Sequence, residues 1–524
     1  MHLSGLLAEQ AMIRPEGIAI VDVARSFTYA EAATAAGRVS SALKACGIER
    51  GDRVGVHFMK GADGFFAMHG VVSAGAVAVP LDPASPAARL SGICEQMQID
   101  VIISHAPRAK TLEAMHELRP IRTVIGLEAP VPGINAIDAA ALVGFDAAAP
   151  ASVDIDDRAY IITTSGSTGE PKGIVHTHRS ALAYADMTIR TYDMVVDDRV
   201  SDIAPHHFDI STHSLWSVPR VGATNIVISE PYQRLPASHS QLLEDQAVTF
   251  WYSVPFLLQQ LVLRGDLANR DLTALRWVHF GGEVISPQVI GQMMSHCPNA
   301  QFANVFGPAE TNQCTLAVFD SPPAADTSLS IGFPLDHTTI RVCDTDALAP
   351  NDESLVATNE VGEMWTHTPQ LMEGYWGQPE KNDHDLQVVD GKVFYRSGDL
   401  VSIDETGEFS FYGRSDHQVK VRGFRIELEG IELALEELGQ AENVVIGIIR
   451  NDSGEDEIVA GVLGVSSAFS EEDFLRSAAS VLPAYAVPSR TVKIESPAFT
   501  GSGKLNRRVL RESAAKSTRE GQVT

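Results

Sequence analysis

The sequence predicts an α/β protein with a large multi-layer N-terminal part and a small α+β unit at its C-terminal end, on three observations. Short apolar runs alternate with helix-length amphipathic segments through most of the chain. Residues 160–173 read YIITTSGSTGEPKG, an apolar strand that breaks into a Gly/Ser/Thr loop carrying one lysine. Near residue 413 the character shifts to strand-like alternation followed by an amphipathic helix.

Taken in order, RVGVHF (53–58), TVIGL (123–127), AYIITT (159–164), TNIVIS (224–229) and LRWVHF (275–280) have the length and apolar continuity of buried strands. The Ala/Pro/Gly-rich stretch 128–153 reads as a surface crossover, and PPAADTSLS (322–330) as another. GRSDHQVKVRGFRIE (413–427) alternates like a twisted strand pair. After it Ile431, Ala434, Leu435 and Leu438 fall at i, i+3, i+4 and i+7, with Gly439 placed as a C-cap.

The loop after AYIITT suits a polyphosphate, because small residues let backbone N–H groups approach phosphate oxygens and Ser/Thr hydroxyls add donors. It is not a Walker A loop, since Lys172 follows Pro171 and precedes Gly173. A chain of 524 residues with 44% hydrophobic content has room for two or more domains. Forty Lys+Arg against 67 Asp+Glu give a formal charge of -27, which argues against nucleic acid and membrane surfaces as partners. The five cysteines, Cys46, Cys94, Cys297, Cys314 and Cys343, are scattered without a C-x-x-C pair. That pattern predicts neither a disulfide framework nor a zinc site and fits a reducing compartment. No stretch approaches the ~20 apolar residues of a membrane span, so a cytoplasmic protein is expected.

FTYAEA (27–32), SAGAVAVPLDP (73–83), TSGSTGEPKG (164–173), FDIS (208–211) and NVFGPAET (304–311) resemble, in that order, core motifs of the adenylate-forming superfamily. GEMWTHTPQLMEGYW (362–376), YRSGDL (395–400), GRSDHQVKVRGFRIE, LPAYAVP (482–488) and GSGKLNR (501–507) continue the series. That superfamily includes nonribosomal peptide synthetase adenylation domains, acyl-CoA synthetases and luciferases. The resemblance covers almost the whole chain. It implies a large core over 1–414 built of α/β subdomains plus a β-barrel, a hinge at 415–417 carrying Asp416, and a small mobile lid over 418–524.

The resemblance also implies site residues, with ATP and Mg²⁺ as cofactors. Thr164, Ser165, Gly166, Ser167, Thr168, Gly169 and Lys172 would form a clamp on the ATP phosphates. Glu310 would be the Mg²⁺ carboxylate, a hard oxygen donor for a hard cation. Phe306 and Gly307 would lie at the adenine, Asp399 would accept both ribose hydroxyls, and Arg414 would contact ribose or phosphate. For Arg414 a junction salt bridge is the competing assignment. The chain departs from the family at Phe306 and Ala309, where Tyr and Thr are usual: an adenine-stacking ring survives, but Ala309 has no hydroxyl for an α-phosphate. Lys504 matches the catalytic lysine. A cation about 4 Å from developing charge is worth roughly 4 kcal/mol at an effective dielectric near 20, or about three decades in rate.

Asp209 of FDIS matches the aspartate that pairs with the amino group in amino-acid-activating members, so the expected substrate is an amino acid. Ile210, His213, Tyr252, His279, Gly281, Val305, Gln313 and Cys314 are the expected lining, polar enough to favour a polar or acidic side chain over a plain aliphatic one. His213 has a second assignment, orienting Asp209 across a helical turn. His207 and Phe208 are placed as a gate. Only 20 residues follow Lys504, with no LGGxS carrier motif. The resemblance therefore implies a free-standing enzyme that loads a separate peptidyl or acyl carrier protein through its phosphopantetheine arm. Lys504, Arg507, Arg508, Arg511, Lys516 and Arg519 form a basic cluster expected to steer carrier docking, against the plainer reading of a basic tail. Two rivals remain: an acyl-CoA synthetase using free CoA, and a catalytically silent nucleotide-binding regulator.

Overall fold

The computed structural model describes residues 2–23, 25–128, 131–164, 171–324, 327–415, 418–451, 455–466, 469–494 and 510–511. The chain divides into two compact units, one of residues 1–83, 94–163 and 173–415, the other of residues 84–93, 164–172 and 416–524.

The first unit is built on three sheets. One has nine strands in the order Phe333–Pro334, Thr315–Phe319, Gln301–Phe306, Trp277–Gly281, Phe250–Ser253, Arg199–Asp202, Thr224–Val227, Ile18–Asp22, Arg25–Thr28. Its central strands are parallel and buried on both faces, as their unbroken apolar runs require. A second, eight-stranded sheet centres on Val77–Pro80 and Arg53–His57 and includes Arg158–Thr164 and Lys172–Thr177, so the predicted strand before the Gly/Ser/Thr loop is present.

The third sheet has five strands. Thr339–Cys343, Gly362–His367 and Lys392–Ile403 lie side by side, and Leu386–Val389 and Phe409–Arg414 pair with opposite ends of the last. Where the resemblance implies a barrel, these described strands form an open sheet with no closing pair. The stretch 128–153, expected as plain crossover, contains the edge strand Asn135–Ile137 and the short helix Ala139–Val143. Helices cover the sheets where the sequence supplies caps. Tyr29–Ala45 starts with a capping box in which Thr28 and Glu31 each accept the other's backbone N–H, at 3.2 and 2.8 Å.

In the second unit Gln418–Val421 and Phe424–Glu427 form the expected strand pair. Arg422 and Gly423, with φ of 51° and 88°, make the two-residue turn that fits strand twist. The helix Leu428–Glu436 buries Ile431 and Leu435 against Val444, Ile446, Ile458 and Phe474 of the same unit. It ends before Gly439, whose φ of 68° falls three residues past the last helical residue rather than at the cap. Arg511, expected among the docking cations, is instead buried: it donates to Glu432 Oε1 at 2.9 Å and Glu429 Oε1 at 2.8 Å, beside Leu510 packed on Val445 and Leu463. Among the described residues no helix is long and apolar enough to cross a membrane.

Candidate active site

Strand alternation assembles the expected substrate lining. Phe250 and Tyr252, Trp277, and Ala303 and Val305 share one core with Tyr192, while the intervening Trp251, Val278, Phe280 and Phe302 belong to another. Tyr252 lies in register with His279, and Gly281 with Val305. A Cβ added at Gly281 would collide with the Val305 carbonyl, so only glycine lets these strands lie as they do. His213 opens the helical segment His213–Ser217, and Ile210 packs against the same core.

The two histidine rings meet the same aromatic side chains. His213 lies 5.0 Å from Phe250 and 5.8 Å from Tyr252 between ring centroids; His279 lies 4.5 and 5.7 Å from them, and 4.1 Å from Tyr192. His213 is 2% exposed and His279 0%, and none of their four ring nitrogens has a hydrogen-bond partner among the described residues. Burial pushes His213 down to about 3 and His279 well below its usual value, the latter helped slightly by His213, so both are neutral imidazoles near neutral pH. An unsatisfied buried polar group costs about 1–3 kcal/mol.

Gln313 is already engaged. Its Oε1 accepts from Tyr192 Oη at 2.6 Å, its Nε2 donates to Tyr184 Oη at 3.3 Å, and its carbonyl accepts from the Gln370 side chain. Tyr184 and Tyr192 were not foreseen; they sit on and just after the helix His178–Thr191, eight residues apart on one face. Cys314 is not brought to this group: its thiol donates to Thr311 Oγ1 at 2.9 Å, in a different core with Ile331, Val342 and Met364. Burial pushes that thiol up to about 12, so it is not a thiolate.

Asp209 is half-buried, and its Oδ1 accepts from the Ile210 N–H at 3.0 Å. Burial first, then the Asp209 charge, pushes the Tyr252 phenol up; the same charge also acts upward on Tyr160 and Tyr184. The carboxylate therefore exerts its field on three buried, protonated phenols.

Glu310 is 0% exposed, and its Oε1 accepts from Tyr375 Oη at 2.8 Å, which lies 3.2 Å from Tyr395 Oη. Tyr375, unforeseen as a partner, belongs to the GYW end of the 362–376 motif. No group of three or more His, Cys, Asp or Glu among the described residues could hold a metal by itself. One hard carboxylate fits Mg²⁺ when phosphates supply further oxygens. Phe306 packs at a tilt on Phe411, 5.4 Å between ring centroids, and a Cβ on Gly307 would strike the Asn312 carbonyl.

Asp399 is 4% exposed and takes a hydrogen bond from Arg414 at 2.7 Å, while Arg414 also donates to the Ser397 carbonyl at 2.9 Å. Thr164 closes the strand Arg158–Thr164. In the second unit Lys172 donates to Glu427 Oε1 at 2.9 Å, an oxygen also bonded by Gln418 Nε2 at 2.7 Å. Ser165, Gly166, Ser167, Thr168, Gly169, Asp416 and Lys504 lie outside the described residues.

This mixed α/β architecture, with its run of motifs from FTYAEA to GSGKLNR, is that of the adenylate-forming class. The family model described as AMP-binding enzyme matches residues 7–376, and the chain belongs to that family. It is 30% identical over 506 residues to phenyloxazoline synthase MbtB of Mycolicibacterium paratuberculosis, covering 96% of this chain but only 41% of that protein. It is also 30% identical over 503 residues to an L-proline–[L-prolyl-carrier protein] ligase of Pseudomonas fluorescens, covering 95% of this chain and 96% of the relative. In fold it resembles the Vibrio cholerae adenylation domain AlmE, solved with glycyl-adenosine-5'-phosphate, at TM-score 0.83 and 23% identity over 98% of each chain.

Proposed function

We propose that the protein activates an amino acid with a polar or small side chain as its aminoacyl-AMP, releasing pyrophosphate, and passes the acyl group to the phosphopantetheine thiol of a separate carrier protein. The observation that carries this reading is the place of Asp209, a half-buried carboxylate in the turn before His213–Ser217, next to Ile210, which packs into the core of Phe250, Tyr252 and Val305. A negative charge among neutral phenols attracts a substrate ammonium, and a substrate without one would forfeit that attraction. The relative of matching length, whose name records loading of a carrier protein with an amino acid, supports the same reading.

In this reading the substrate carboxylate attacks the ATP α-phosphorus, the bond to pyrophosphate breaks, and the acyl phosphate forms. Asp399, oriented by Arg414, accepts from the ribose hydroxyls. Glu310, held by the Tyr375 hydroxyl, would bind Mg²⁺, which would neutralise phosphate charge. Lys504 stabilises the charge that builds as two anions are brought together. The 164–172 loop holds the phosphates, and rotation of a 418–524 lid about Asp416 separates adenylation from thiol transfer.

Amino-acid-dependent ATP–pyrophosphate exchange over a broad panel, β-amino and non-protein acids included, tests the first step. Loading of a phosphopantetheinylated carrier against free CoA tests the second. Exchange driven by des-amino acids, or thioester formation on CoA alone, would overturn the reading.

A further inference from the structure

Most polar side chains around the proposed amino-acid site are satisfied by one another. Tyr192, Tyr184 and Gln313 are joined in one hydrogen-bonded set, and Thr212 Oγ1 donates to the Asp209 carbonyl at 2.6 Å. Tyr160 Oη and Asn312 Nδ2 lack a partner among the described residues, but His213 and His279 go further: each is at least 98% buried, and both nitrogens of each ring are without one. Buried polar groups in native proteins are nearly always paired, so such a pair of orphans marks the place of a missing partner. Both rings lie against Phe250 and Tyr252, so they face one patch rather than two separate ones.

We propose that His213 and His279 together seat an uncharged hydrogen-bonding group, a hydroxyl or carboxamide, on the side chain of the activated amino acid. This rests on reading the Asp209 site as the amino-acid site. A neutral imidazole carries one N–H donor and one lone-pair acceptor. Two such rings match a group that accepts from one and donates to the other. A hydroxyl does this through a single oxygen, and a carboxamide through its carbonyl and NH₂.

An acidic side chain fits less well. It would be welcomed by imidazolium, but burial holds both rings neutral, and Asp209 already adds negative charge to the site. An aliphatic side chain of the same shape would leave the ring nitrogens unpaired. Sites built to hydrogen-bond a substrate group reject the analogue lacking it far more strongly than apolar pockets reject a missing methylene.

The experiment is pyrophosphate exchange with isosteric pairs: serine against 2-aminobutyrate, threonine against valine, homoserine against norvaline, asparagine against leucine, with aspartate and glutamate alongside. The expected result is a preference in kcat/KM of about 10²- to 10⁴-fold for the hydroxyl or carboxamide member of at least one pair. That preference should shrink at least about tenfold in His279→Phe, and be largely kept in His213→Gln, which retains a donor and an acceptor. Because Trp277 lies 5.2 Å from His279, its fluorescence on titration with the same amino acids supplies a binding ratio even for a variant with poor turnover. Equal kcat/KM for the best isosteric pair, a preference for acidic side chains, or an unchanged ratio in His279→Phe would overturn the inference while leaving amino-acid activation standing. Absence of exchange with every amino acid would instead overturn the underlying reading, and this inference with it.

Discussion

Arg414 stands directly across from Asp399 in the antiparallel pair of strands Lys392–Ile403 and Phe409–Arg414, and its guanidinium donates to the aspartate at 2.7 Å. The two side chains are 14% and 6% exposed, so water screens the pair little. Breaking a buried pair by removing one partner leaves an uncompensated charge, at a cost of about 3–5 kcal/mol. Arg414→Ala should therefore lower unfolding stability by an amount near the lower end of that range and raise KM for ATP more than KM for the amino acid. A variant with unchanged urea midpoint and unchanged KM for ATP would mean that the pair neither holds the fold nor orients Asp399.

Acid sensitivity follows from histidines buried in neutral form. Desolvation pushes His57, His69, His213 and His239 down to about 3, and His176 and His178 to about 4. In the unfolded chain each takes up a proton near pH 6.5. The unfolded state thus binds more protons between about pH 6.5 and 4, and stability rises with pH there. The contribution is intact above about 6.5 and lost as pH falls through that window, by at most about 1.4 kcal/mol per pH unit for each histidine. His239 lies in the core around Trp251, 5.8 Å from that ring and away from the proposed site. His239→Gln should cut the proton uptake on unfolding at pH 5 by about one, read from the pH dependence of the urea midpoint. An identical slope would show that His239 already titrates normally in the folded protein.

Arg511 separates two views of the C-terminal cations. As a docking residue it would be exposed; in the structure it is 8% exposed and spans Glu429 and Glu432, and Glu432 Oε1 also accepts from the Ile446 N–H at 2.9 Å. Arg511→Glu would set three carboxylates together with one side largely buried. The expected outcome is loss of roughly 3–5 kcal/mol of stability and of exchange activity, not a selective fall in carrier loading. Slowed loading with full exchange and an unchanged melting temperature would restore the docking view.

The parts legible in the sequence are those carried by local periodicity. The buried strands announced themselves as apolar runs bounded by polar turns, and the 413–427 stretch by its alternation around Arg422 and Gly423. The edge strand Asn135–Ile137 did not, because two of its three residues are exposed and it carries no core-facing pattern. The site was legible as a set of residue types, but not as a set of partners. Nothing local says that Lys172 will find Glu427, 255 residues on, or that Gln313 will be occupied by two tyrosines. Gln313 and Cys314 are neighbours in sequence, yet only Gln313 reaches the tyrosines, since the Cys314 side chain enters the core around Met364.

In the reading proposed above, the substrate class turns on Asp209. Its charge acts on Tyr160, Tyr184 and Tyr252, all buried phenols whose own proton loss is suppressed, so Asp209 supplies negative charge where they supply none. Asp209→Asn keeps the shape and removes that charge. Truncating one side of a buried charge-assisted pair costs about 2–5 kcal/mol. In kcat/KM for the amino acid this amounts to a loss of about 30- to 5,000-fold. KM for ATP should change little, because the adenine, ribose and phosphate contacts proposed here come from Phe306, Asp399 and the 164–172 loop. The loss should be smaller for a des-amino analogue, which has no ammonium to lose, so the ratio of amino acid to analogue should fall in the variant. Equal losses for both substrates would assign Asp209 to holding the turn at Ile210, and the search for the amine's partner would have to move elsewhere in the site.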